Sequence, residues 1–166
     1  MNNLNFIYPE IFISLSILFL LIIGVFKKKS SDLVFTLSVI ILLIALGILI
    51  KFPSDKEFLL FSDSYKIDQL STFMKIVTLI SGIFVLISSS KYIKLAKIID
   101  IEYPVLILAS ILGMLVMISS YDLIVFYVGL ELQTLSLYVL AAFDKNQRNS
   151  SEAGLKYFVL SALSSG

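Results

Sequence analysis

The chain has 166 residues, 58% of them hydrophobic, and a formal net charge of +1. An ordinary soluble domain is roughly 45–50% apolar, so an aqueous fold of this size would leave too much apolar surface uncovered, and the expected solvent is lipid. There is no cysteine and no histidine. That excludes disulfides, thiolate centres, haem ligation and the common zinc sites, and the scattered lysines form no basic stripe for nucleic acid.

A hydrocarbon core about 30 Å thick asks for about 20 apolar residues in a helix. The first such run covers about residues 7–26, the second about 33–51 and the third about 70–90. The fourth, about 104–120, opens on Pro104. A proline is tolerated in a first helical turn because the N–H it lacks has no intrahelical partner there. The fifth run covers about 122–142, and a sixth begins near Glu152 and reaches Gly166. That last stretch is too short to span. The expected fold is all-α and integral to a membrane: one domain over 1–166, with five full transmembrane helices and the start of a sixth.

The loops predict sidedness. Lys27, Lys28, Lys29, Lys91, Lys94, Lys97, Lys145 and Arg148 fall on one side, against Lys51, Lys56 and Lys66 on the other. The positive-inside rule puts the richer side in the cytoplasm or matrix and the N-terminus outside. The basic cluster follows the first apolar run, the wrong polarity for a cleaved secretory signal, so an uncleaved anchor is expected. No Arg-rich transit segment precedes it. Abundant Ile, Phe, Lys, Asn, Ser and Tyr without Trp suits an A+T-biased genome such as an organelle's.

The fifth run, VFYVGLELQTLSLYVLAAF over 125–143, carries a carboxylate, Glu131, at its middle. It lies roughly 14–16 Å from either surface at 1.5 Å per residue. An ionised carboxylate there costs about 2.5–3.5 kcal/mol even on the mild insertion scale. Either burial leaves it neutral, or a partner and water keep it charged; a group poised between the two is a proton carrier. Tyr127, Thr134 and Tyr138 share its helical face, at offsets of three and four, and all can hydrogen-bond. Gly129, Gln133 and Ser136 form the opposite face, the small and polar set that lets membrane helices pack closely. The competing reading is a structural glutamate satisfied by a hydroxyl on a neighbouring helix.

Lys156 is the second candidate. Placed about five residues into the sixth run, it lies roughly 7 Å deep. It can snorkel outward, pair with Glu152 one turn earlier, or point toward Glu131 through water. Lys75 is similarly shallow from the outer side and is expected to snorkel. Lys27 to Lys29 read as topological anchors, Glu102 as a capping or interfacial carboxylate, and Asp122 as the outer start of the fifth run. No phosphate loop, Ser/His/Asp set or metal cluster accompanies them.

Three stretches carry a resemblance: EYPVLILASILGMLVMISSYDLIVFYVGLELQTLSLYVLAAF, SEAGLKYFVLSALSSG, and DQLSTFMK at 68–75, an Asp-x-x-Ser-x-Phe-x-Lys pattern at the start of the third run. In these the chain strongly resembles the family of subunit 2 of mitochondrial NADH:ubiquinone oxidoreductase (complex I), the counterpart of bacterial subunit N. The likeness is best over about 66–166. It implies an antiporter-like helix bundle that conducts protons and holds no redox cofactor, flavin, iron–sulfur clusters and quinone being expected on other subunits. In that family the fifth-helix glutamate works against a lysine on a broken seventh helix. Glu131 matches that glutamate, and Lys156 matches a lysine early in the sixth helix. The implied site is a Glu131/Lys156 proton relay supported by Tyr127, Thr134 and Tyr138.

Family members have about fourteen helices, three leading ones and two inverted five-helix repeats, a common transporter plan. The three leading helices are then about 7–26, 33–51 and 70–90, and about 104–166 is part of the first repeat. The seventh-helix lysine and the second repeat are missing from this sequence. A split subunit is therefore expected, with a companion chain supplying the later helices; the plainer alternative is a piece of a longer gene product. Expected partners are the other complex I membrane subunits and the lipid bilayer, with no nucleic acid. The expected location is the mitochondrial inner membrane, multi-pass, with organellar synthesis and the N-terminus on the intermembrane-space side. Rival readings are a subunit of a multi-subunit cation/proton antiporter and a purely structural membrane subunit.

Overall fold

A computed structural model describes residues 7–26, 31–51, 57–61, 63–96, 101–144 and 147–165. Of the basic residues used for sidedness, Lys27, Lys28, Lys29, Lys56, Lys97 and Lys145 lie outside the described residues, as does Gly166. Six helices follow the apolar runs: α1 (Tyr8–Phe26), α2 (Ser31–Lys51), α3 (Gln69–Ala96), α4 (Glu102–Ser119), α5 (Leu123–Ala141) and α6 (Arg148–Ser165). Apolar stretches of spanning length occur in α2, α3, α4 and α5, and α1 adds a shorter one over Tyr8–Gly24. The chain is a multi-pass membrane protein.

Two strands that the hydropathy pattern does not announce, β1 (Phe58–Leu60) and β2 (Tyr65–Ile67), form an antiparallel hairpin between α2 and α3. Phe58 pairs with Ile67 and Leu60 with Tyr65. Phe61 and Asp63 turn the chain with positive φ angles, and Ser64 N–H donates to the Phe61 carbonyl at 3.2 Å. The hairpin docks on the α4–α5 turn: Tyr65 bridges Ser120, and Tyr121 N–H donates to the Ser64 carbonyl at 3.0 Å. Tyr65 and Ile67 point inward and close over Ile7, which gives this end of the bundle a small apolar cap.

Helix α4 is the hub, packed against α1, α3 and α5. Half of its spanning residues are buried, against 17% for α5. Leu108, Ile111 and Leu115 on α4 meet Ile13 and Leu20 from α1, Leu42 from α2, and Leu79 and Leu86 from α3. Lipid tails are as apolar as these side chains, so helix association in a bilayer rests on close packing and polar contacts. Three buried serine hydroxyls are satisfied within their own helices: Ser38 donates to the Val34 carbonyl, Ser110 to Ile107 and Ser136 to Leu132.

The tightest seam is α4 against α5. A Cβ built on Gly113 would stand 2.7 Å from both Gln133 N and Gly129 O, and one on Gly129 would stand 3.0 Å from Gly113 O. Backbone meets backbone at this crossing, which only glycine allows on both helices. Gly129 and Ser136 are buried as the small, polar face of α5 leads one to expect.

Helix α6 begins at Arg148, earlier than the apolar run near Glu152 suggests. Its first turn is polar but is tied to the end of α5, where Ser150 Oγ donates to the Ala141 carbonyl at 2.8 Å.

Candidate proton-relay site

Asp122 sets the start of α5. Its backbone is extended, at φ −106° and ψ 144°, and its carboxylate accepts from Ile124 N–H at 3.3 Å, an N-cap that satisfies one of the first-turn donors. Glu131 is then the ninth of the 19 residues of α5, at the middle of the span. It is half-buried. Among the described residues no cation is ion-paired to its carboxylate.

The stripe around Glu131 runs from open to closed. Tyr127 is exposed, Glu131 and Thr134 are half-buried, and Tyr138 is buried. Thr134 Oγ1 donates to the backbone carbonyls of Leu130 and Glu131, at 2.9 and 3.2 Å, so its hydroxyl serves the helix. Tyr138 lies at the α5–α6 contact, edge-on to Tyr157 and Phe158 with ring centroids 4.7 and 5.8 Å away. Beside it runs a groove of about 450 Å³ lined by Glu102, Leu135, Tyr138, Val139, Ala142 and Phe158.

Lys156 is the ninth residue of the 18 in α6. Its Cα is therefore about 12 Å along the helix. Its ammonium pairs with Glu152 at 2.7 Å, and both side chains are exposed. Among the described residues Lys156 and Glu131 are not brought together.

The structure corrects the reading of Lys75. It does not snorkel: its side chain is 2% exposed and its Nζ lies 2.5 Å from Glu10 Oε1. The same oxygen accepts the Tyr65 hydroxyl at 2.9 Å, and Lys75 Nζ also lies 3.3 Å from that hydroxyl. Position explains this. Ser71, Lys75, Leu79, Gly82 and Leu86 recur every three or four residues and form the buried stripe of α3. A lysine on that stripe must find an anion inside, and Glu10 in the first turn of α1 supplies it. Neither Glu10 nor Tyr65 stands out in the sequence, although Lys75 in register with Leu79 and Leu86 was a visible signal.

The Asp-x-x-Ser-x-Phe-x-Lys pattern thereby acquires a physical meaning. Asp68 Oδ1 accepts from Ser71 N–H at 2.7 Å while Ser71 Oγ accepts from Asp68 N–H at 2.9 Å, a reciprocal cap on α3. The Ser71 N–H bond holds the Asp68 carboxyl below its ordinary value, with Lys66 adding to the effect. Lys66 is held above its own ordinary value by its bond to Glu57 and by Asp68. Seven residues after the cap comes the buried ammonium. Burial and the adjacent Glu10 carboxylate push the Tyr65 hydroxyl far up, so it stays a neutral donor.

Comparison with known proteins agrees with this architecture. A family model described as "NADH:quinone oxidoreductase/Mrp antiporter, TM" matches residues 120–166, the part that holds Glu131 and Lys156. The NADH-quinone oxidoreductase subunit N of Pelagibacter ubique is 63% identical over 166 residues, covering 100% of this chain and 35% of that protein. The subunit N of Bartonella bacilliformis is 46% identical over 165 residues, covering 99% of this chain and 34% of that protein. Over its whole length the chain is thus similar to about a third of these subunit N proteins. Among solved structures, a chain of respiratory complex I from Thermus thermophilus with bound aureothin superposes with a TM-score of 0.77 at 25% identity, over 95% of this chain and 34% of that one. The fold is thus the antiporter-like membrane fold, and this chain spans about a third of the length of the subunit N relatives it matches.

Proposed function

We propose that the chain works as part of a proton-translocating, antiporter-like membrane subunit of respiratory complex I, coupled to electron transfer from NADH to ubiquinone elsewhere in the enzyme. The likeness to subunit N along the whole chain carries this reading, and a carboxylate at the midpoint of an apolar helix gives it a mechanism. In this reading Glu131 would hold its charge while a lysine ammonium is near and take a proton when that lysine moves away. Lys156, at the middle of α6, is the lysine within this chain that would join the relay by leaving Glu152. The seventh-helix lysine would come from outside these 166 residues, on a companion chain or further along the same polypeptide. Mass spectrometry of the purified complex distinguishes the two.

Redox centres would sit on other subunits, since this chain offers neither cysteine nor histidine to ligate them. Its partners would be the other membrane subunits of the complex. The membrane would be an energy-coupling one. The mitochondrial inner membrane, with the N-terminus toward the intermembrane space, is the location the sequence suggests; the bacterial relatives favour a bacterial cytoplasmic membrane with the same polarity.

Glu131→Gln in the assembled enzyme should preserve assembly and lower proton translocation per electron. Wild-type translocation in a stably assembled variant would reduce Glu131 to a structural role. The matching family model names the Mrp antiporter as well, which favours a cation/proton antiporter subunit as the second reading. Co-purification with flavin and iron–sulfur subunits decides between them.

A further inference from the structure

The Glu10 cluster lies outside the relay and carries a feature that a plain structural ion pair does not need. Glu10 Oε1 is saturated by Lys75 and Tyr65, whereas Glu10 Oε2 is buried with no partner among the described residues. Ser119 Oγ, at the end of α4, is the other buried side-chain atom in that condition. Leaving a buried acceptor unmet is costly, and more so when it is charged, so Oε2 calls for a proton or a water. Glu10 also lines a groove of about 320 Å³ between α1, α4 and α5, together with Ile11, Ser14, Leu112, Val116 and Leu132. Leu132 adjoins Glu131 in the chain.

The cluster also provides for its own protonated state. If Glu10 becomes neutral, Lys75 keeps two partners already in place: the Tyr65 hydroxyl oxygen at 3.3 Å and the face of the Tyr65 ring, 5.2 Å from its centroid. Tyr65 remains neutral throughout. Among the described residues the titratable groups in contact with Glu10 are Tyr65 from β2 and Lys75 from α3; the groove beside it adds the apolar Leu112 and Val116 from α4 and Leu132 from α5.

We propose that Glu10, Lys75 and Tyr65 form a second proton-exchanging site, in which Glu10 Oε2 takes a proton from water in the groove between α1, α4 and α5. In uptake, an O–H bond of a hydronium ion in the groove breaks, the Oε2–H bond forms, and water is left. Release reverses the step, and Lys75 returns to Oε1. Lys75 and Tyr65 are positioning residues. A contribution of this site to translocation rests on the proton-subunit reading above; the exchange itself does not.

The test uses the assembled membrane enzyme and the double variant Glu10→Leu/Lys75→Met. Replacing both members of a buried ion pair by packed apolar residues is commonly neutral or stabilising, so this variant should assemble. Infrared difference spectra across a pH step should show a protonated carboxyl C=O band in the wild type that is absent from the double variant. Tyr65→Phe, which removes one hydroxyl partner and keeps the ring, should move the frequency of that band, and it decides the matter if the double variant does not assemble. A wild-type spectrum in either assembled variant overturns the proposal and leaves a structural pair. Glu131→Gln, measured in parallel for translocation, tests the proton-subunit reading separately, because the Glu10 band does not depend on it.

Discussion

Gly113→Ala tests the crossing that positions α5. The added Cβ would stand 2.7 Å from Gln133 N and from Gly129 O, and ordinary contact begins at 3.4 Å. The shortfall is 0.7 Å, and both obstructing atoms are helical backbone, which cannot rotate aside. Helix α5 must therefore move outward by about that distance. A gap of this size forfeits a quarter to a half of each neighbouring contact, each worth about 0.1–0.2 kcal/mol; across the 40–60 atom pairs of one buried side chain that is about 1–6 kcal/mol. Overpacked cores lose about 1–3 kcal/mol. Gly129→Ala should cost less, because its backbone obstructions, Gly113 O and Met117 N, stand at 3.0 Å rather than 2.7 Å and its nearest one is the flexible Met117 side chain at 2.9 Å. Gly47→Ala is the control: nothing lies within 4 Å of its Cβ, and the helix should gain up to about 1 kcal/mol in propensity. Stability of the purified chain in micelles, followed by loss of helical circular dichroism on denaturant titration, reads all three. If Gly113→Ala proves as stable as Gly47→Ala, the backbone-contact account of this seam is wrong. Since Glu131 rides on α5, the same displacement should lower translocation in the assembled enzyme.

Three further outcomes follow from the geometry. Lys75→Met alone strands a buried carboxylate and should cost about 3–5 kcal/mol, whereas pairing it with Glu10→Leu should recover most of that loss in the same titration. Asp68→Ala removes the α3 cap and should cost about 0.5–2 kcal/mol. Asp68→Asn keeps an acceptor but removes the charge, which gives a pH signature. The folded carboxyl titrates below its ordinary 3.8, so its contribution is complete above that value and is lost as the pH falls through the lowered one. The acid limb of the stability curve should flatten in the Asn variant, and an unchanged limb would remove Asp68 from the account.

The helices were legible because lipid makes the backbone satisfy itself within each span. That constraint turns α2, α3, α4 and α5 into apolar runs whose ends hydropathy locates closely. The start of α5 at Asp122 and the small face of that helix were legible for the same local reasons. The hairpin was not. Its three-residue strands carry too little alternation to register, and they hold their place through Tyr65, Ser64 and the distant Ser120–Tyr121 turn. The position of Glu131 was readable from the middle of an apolar run, but its partner was not, because a partner depends on which face of another helix turns toward it. Lys156 shows this: at mid-helix depth its ammonium still goes to Glu152.

Composition and periodicity by themselves determined that this chain lives in lipid, where its spans begin and end, and which carboxylate lies deepest. Only the tertiary structure decided that Lys75 turns inward to meet Glu10, across 65 residues of sequence. The reason is that hydropathy measures how far a charge is from the end of its run, whereas its neighbours depend on how whole helices are rotated and paired. A shallow lysine with an outward face snorkels to water. The same lysine on the stripe of Leu79 and Leu86 must carry its counter-ion in with it.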